Sequence, residues 1–156
     1  MAAFSQDATL VAMGQRGGDV EVKEVLTSKY VSSLGIGRDV YGHLLAMAFS
    51  PNQQMLATTY QSAQVKLWTL EGICLLTLVT RPELECSYML IIFSSDSRFV
   101  AGAQEWDCSD DLDRNGEGLP CTVHLWSVSN GMLERTRSWQ CLAMSLNFGS
   151  SSPPLT

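Results

Sequence analysis

Three stretches of this chain align without gaps: Ala3-Phe-Ser-Gln-Asp-Ala-Thr-Leu-Val-Ala12, Ala48-Phe-Ser-Pro-Asn-Gln-Gln-Met-Leu-Ala57 and Ile92-Phe-Ser-Ser-Asp-Ser-Arg-Phe-Val-Ala101. Phe4 lies 45 residues before Phe49, and Phe49 lies 44 before Phe93. A fixed period of this size means one supersecondary unit repeated, each copy burying a face against its neighbour. The later part of the unit repeats as well, with Val65-Lys-Leu-Trp68 returning as Val123-His-Leu-Trp126. Phe49 precedes Trp68 by 19 residues and Phe93 precedes Trp126 by 33, so 14 extra residues sit in the third copy, between Gln104 and Thr122. Nineteen residues beyond Phe4 stands Lys23, where the first copy loses its tryptophan. A fourth copy opens at Leu142-Ala-Met-Ser-Leu-Asn-Phe148.

Within each copy apolar residues alternate with a period of two, as half-buried strands require. The pattern predicts strands at 2–4, 9–15, 19–26 and 29–36, then at 44–50, 55–60, 65–70 and 74–80, then at 88–94, 98–104, 121–128 and 132–139. Turn chemistry separates them, with Ser50-Pro-Asn-Gln, Ser94-Ser-Asp-Ser and Asn130-Gly131 as the clearest signals. Four short antiparallel strands per repeat describe the blade of a β-propeller. The expected fold class is all-β, with blades at about 1–40, 41–82 and 83–140, an insertion at 105–120 and the start of a fourth blade at 141–156.

The Ala-Phe-Ser-Pro-Asn, Leu-Ala and Val-Lys-Leu-Trp elements of the second copy resemble those of the WD-repeat β-propeller family, over nearly the whole chain. The naming dipeptide is degenerate, because Thr69 follows Trp68 and Ser127 follows Trp126. The family's turn aspartate falls on Gly17, Ser62 and Pro120, and Gly42-His43 stands only six residues before Phe49. The family's buried network of His, Ser/Thr, Asp and Trp is therefore expected to be absent, leaving apolar packing to hold the blades. Propellers close with about four to eight blades. Three blades and one further strand are expected to belong to a longer ring, or to associate with another copy through open blade edges.

Composition narrows the partners. Of 156 residues, 16 are acidic and 10 basic, a net charge of −6 with no basic stripe, which argues against nucleic acid. The longest apolar run, Tyr88 to Phe93, is far short of the ~20 residues of a spanning helix, and Met1 to Gly14 lacks a signal-peptide core. No membrane role is expected. Five cysteines without a C-x-x-C pair read as reduced thiols, hence a cytoplasmic or nuclear protein.

Catalysis finds little support. The two histidines, His43 and His124, have no nucleophile beside them in sequence, and His124 reads as a structural residue of a strand, on the surface or between blades. Gly14-Gln-Arg-Gly-Gly and Gly35-Ile-Gly read as turns, since no helix follows either. Trp68 and Trp126 recur in register and read as packing residues.

The insertion concentrates negative charge. Its Asp111-Leu-Asp113-Arg-Asn115-Gly116 matches the opening of a calcium loop, in which alternate oxygens face one cation. The closing glutamate is missing, because Thr122 occupies the twelfth position. Glu117, Asp107 or Asp110 would have to supply the remaining oxygens. The plainer reading is a solvated acidic loop with no cofactor. In WD-repeat proteins the connection between a blade's second and third strands opens on the top face, where partners dock. The resemblance thus implies a partner surface of Arg16, Tyr60, Gln61, Trp106, Asp107 and Asp110, with Trp106 as anchor or as blade packing. The leading expectation is a non-catalytic protein-interaction scaffold or sensor whose partner offers a basic docking face. The alternative is a calcium-binding propeller module, and an enzyme using Asp107, Asp110 and Asp111 ranks third.

Overall fold

The computed structural model describes residues 1–15, 17–35, 43–78, 87–104 and 120–140. Among them are twelve strands and no helix. The first sheet is β1 (Ala2–Phe4), β2 (Leu10–Gly14), β3 (Val20–Glu24) and β4 (Tyr30–Leu34). The second is β5 (Leu44–Phe49), β6 (Met55–Tyr60), β7 (Val65–Thr69) and β8 (Cys74–Leu78). The third is β9 (Tyr88–Phe93), β10 (Phe99–Gln104), β11 (Pro120–Ser127) and β12 (Leu133–Gln140). Each sheet is antiparallel with its strands in sequence order, the arrangement expected of a blade.

Register confirms that the three sheets are copies. Val11 faces Lys23, Leu56 faces Trp68 and Val100 faces Trp126 across the second and third strands. Lys23 therefore does stand where the later blades carry tryptophan. One step along, Met13, Thr58 and Gly102 are equivalent, facing Glu21, Lys66 and His124.

The repeated Phe-Ser element builds one turn three times. Ser5, Ser50 and Ser94 donate their hydroxyls to Asp7, Asn52 and Asp96 at 2.7, 2.7 and 2.6 Å. The same oxygens accept the amides of Leu10, Met55 and Phe99 at 2.9, 2.9 and 3.0 Å. The Asx side chains accept a further backbone amide two residues on. This closure forces the residue after the Asx into the left-handed region: Ala8, Gln53 and Ser97 have φ of 57°, 58° and 59°. Backbone and hydroxyl donors hold the carboxyls of Asp7 and Asp96 down at about 2.

Two apolar layers lie between the sheets. Ala12, Val20, Val22 and Leu34 of the first blade meet Phe49, Leu56 and Trp68 of the second. Ala46, Ala57, Val65, Leu67 and Leu78 of the second meet Tyr88, Ile91, Val100 and Trp126 of the third. The tryptophan of each later blade thus faces the blade before it.

Polar contacts join neighbouring blades too. The Asn52 amide donates to Ser97 Oγ at 3.0 Å, and Thr59 Oγ1 donates to the Tyr88 carbonyl at 2.7 Å. Gly72 and Gly131 close the third turns with positive φ; a Cβ on Gly72 would come 2.9 Å from the Ser33 carbonyl of the first blade, and one on Gly131 3.1 Å from Leu78 of the second.

Apolar packing is not all that holds the second blade. Trp68 Nε1 donates to Thr58 Oγ1 at 2.8 Å, both residues being buried. The third blade does lack this link, because Gly102 replaces the threonine and Trp126 Nε1 is buried without a partner.

Candidate functional site

Strand direction decides which loops share an end of the molecule. Leu44, which opens β5, pairs with Tyr60, which closes β6; Tyr88 and Gln104 are related in the same way. The segments entering each blade and the connections between second and third strands therefore lie at one end, opposite the Ser-Asx turns. At this loop end are Gln15 and Gly17 to Asp19 in the first blade and Gln61 to Gln64 in the second, and in the third blade Gln104, which closes β10, and Pro120, which opens β11.

The described part of this end is hydrogen-bonded across blades. The Gln61 amide donates to the His43 carbonyl at 3.0 Å, closing the second blade's entry onto its own turn. Ser87 Oγ, at the entry to the third blade, donates to the Gln61 carbonyl at 3.0 Å. Ala63, at φ 58°, and its amide bond to the Tyr60 carbonyl at 3.0 Å make the turn tight. In the first blade Gly17 and Gly18, at φ 104° and 94°, let the Gln15 amide reach the Asp19 carbonyl at 2.7 Å. Backbone bonds of this kind fix a loop surface without consuming the exposed side chains that a partner would read.

Of the expected partner residues, Gln61 is exposed at this end. Tyr60 is a correction: it is 0% exposed and packs against Leu44, so it offers no surface to a partner. Alternation along β6 explains its burial, since Tyr60 shares a face with Leu56 and Thr58, the face turned to the first blade. Burial also pushes its phenol up to about 12. Arg16, Trp106, Asp107 and Asp110 lie outside the described residues, as do the calcium candidates Asp111, Asp113, Asn115 and Glu117. Two residues of this end that sequence reasoning missed are His43, exposed, and Ser87; the signal was their place in the segments that enter the second and third blades.

His124 is buried in the third blade, not on its surface. Its Nδ1 lies 3.1 Å from the Tyr88 hydroxyl, and its ring stands 5.7 Å from those of both Tyr88 and Trp126. Burial pulls its pKa down, so the neutral ring is favoured. No nucleophile touches it in these contacts; its partners are a phenol and an indole face. Among the described residues no group of three or more His, Cys, Asp or Glu is placed to hold a metal ion. No helix among them is long and apolar enough to cross a membrane. No model of a known protein family matches the chain.

Proposed function

We propose that the chain is a WD-repeat-like propeller module that binds a protein partner at its loop end and performs no catalysis. The observation that carries this reading is the run of backbone and hydroxyl bonds through His43, Gln61 and Ser87, which makes the loop ends of two blades one fixed surface. The Thr58–Trp68 bond and the threefold Ser-Asx turn support the WD-like reading. The segment between β10 and β11 is strongly acidic in sequence, which favours a partner with a basic docking face. Reduced cysteines, of which Cys74 is exposed and free, fit a cytoplasmic or nuclear setting.

The test uses a fluorescent lysine-rich peptide titrated into the full chain at rising salt. Binding that weakens with ionic strength, and weakens again in an Asp107→Asn, Asp110→Asn, Asp111→Asn variant, supports the reading. Salt-independent binding, or none, overturns the charge assignment. Binding that vanishes in chelator would favour a calcium site at Asp111, Asp113, Asn115 and Glu117 instead.

A further inference from the structure

Each of the first two blades covers its following neighbour with rows of side chains running from the inner to the outer strand. In the second blade these rows are Ala48, Ala57, Leu67, Leu76 and Ala46, Thr59, Val65, Leu78. In the first blade the row Ala3, Ala12, Val22, Ser32 occupies the equivalent place. Small residues stand on the inner strand, where neighbouring blades approach, and no charge stands on the outer strand.

The same register continues into the third blade as Ile92, Ala101, Leu125, Arg135 and Leu90, Ala103, Val123, Arg137. Both ends of each row have changed. Ile92 and Leu90, 52% and 44% exposed, replace alanines, and the exposed Arg135 and Arg137 replace leucines. Extra volume on the inner strand opposes the close seating that alanine permits. Two guanidiniums would be costly to bury beneath an apolar blade. The face that would receive a next blade is thus built for something else, with an apolar centre and a cationic outer rim.

We propose that this outward face of the third blade docks a segment of another protein that pairs apolar side chains with carboxylates. The apolar side chains lie on Leu90, Ile92, Val123 and Leu125, and the carboxylates reach Arg135 and Arg137. Charge complementarity selects this occupant. Residues 141–156 contain no acidic side chain and do not match the rim. A second copy seated through the same face would set arginines against arginines. This surface is a sheet face, separate from the loop end, and the two assignments fail independently.

The probe is a fluorescent synthetic peptide that alternates leucine with glutamate, compared with a leucine–lysine control, titrated into the full chain and read by anisotropy. The glutamate peptide is expected to bind and the control not to. An Arg135→Glu, Arg137→Glu variant should weaken the first by about tenfold or more and take up the second. Arg135→Gln, Arg137→Gln gives the same loss if charge reversal prevents folding, which circular dichroism reports. Ile92→Ser should weaken binding as well, whereas the Asp107→Asn, Asp110→Asn, Asp111→Asn variant should leave it unchanged. Absent binding, or binding indifferent to both arginine variants, overturns the proposal. So does sedimentation showing a dimer of the wild-type chain that the arginine variants dissociate, because the occupant would then be a second copy.

Discussion

The second and third blades solve one packing problem in two ways. In the second, Thr58 accepts the Trp68 N–H, and Lys66 lies over the same ring, its Nζ 5.6 Å from the centroid. In the third, Gly102 and His124 take the places of Thr58 and Lys66, and Tyr88 and Trp126 close over the glycine. A Cβ on Gly102 would come 2.8 Å from Tyr88 Cδ1 and 3.1 Å from Trp126 Cζ3, so the aromatic cluster depends on that missing methyl. The comparison teaches that the strand scaffold is indifferent to how the buried indole is accommodated. One blade spends a hydroxyl on the N–H; the other leaves it unbonded and gains ring contacts, with Tyr88 and Trp126 edge-on at 5.4 Å.

The coarsest way to probe this equivalence is truncation of each tryptophan. Trp68→Ala and Trp126→Ala should each cost about 3–5 kcal/mol in chemical denaturation, because lost volume dominates in both. A large disparity would show that the two layers are not equivalent. Grafting the second blade's solution onto the third comes next. Gly102→Thr should destabilise by about 1–3 kcal/mol despite offering Trp126 a hydroxyl, since overpacking against Tyr88 prevails. A stabilised variant would mean that the cluster yields easily and that the orphan N–H was the greater cost.

Phenylalanine sharpens the contrast further. Trp68→Phe deletes a buried hydrogen bond to Thr58 Oγ1, whereas Trp126→Phe deletes a donor that bonds to nothing. The first should cost more than the second by about 1 kcal/mol or more in thermal or denaturant melts.

The smallest expected effect is in pH. Burial depresses the His124 pKa below its ordinary 6.5, so the unfolded chain binds the proton first as pH falls. The third blade's stability should be full above 6.5 and decline below it, a slope that His124→Gln removes. A second window lies lower. Asp7 and Asp96, held at about 2 instead of 3.8, support the first and third turns above 3.8 and lose that contribution as pH falls toward 2. The second turn uses Asn52, which does not titrate. Hydrogen exchange read blade by blade across these windows should leave the second blade least affected.

Much of this was legible in the sequence because it depends on spacing alone. The period placed all twelve strands, projected Lys23 onto the tryptophan position and located the insertion between β10 and β11. What escaped depends on register between residues that are far apart or in different strands. Thr58 is ten residues from Trp68, and nothing local says that its hydroxyl meets the indole. Asn52 and Ser97 are 45 residues apart, and only the stacking of blades brings them together. Tyr60 was assigned to a docking surface by adjacency to a loop, although the alternation with Leu56 and Thr58 already pointed it inward. Arg135 and Arg137 stood in the sequence as an isolated basic pair, and their meaning emerged once β11 set them opposite Leu125 and Val123.

The thrice-built Ser-Asx turn has a consequence for how such a chain can change over time. Its bonds span at most five residues and fix how the first two strands of each blade align before any interior is assembled. Contacts this local form early and cost little chain entropy to close. With alignment secured at the turn, the buried positions are released from the task of setting it. Substitutions there can accumulate so long as the volume is filled. A threonine can drift to glycine, or a lysine to histidine, and the same strands still find one another.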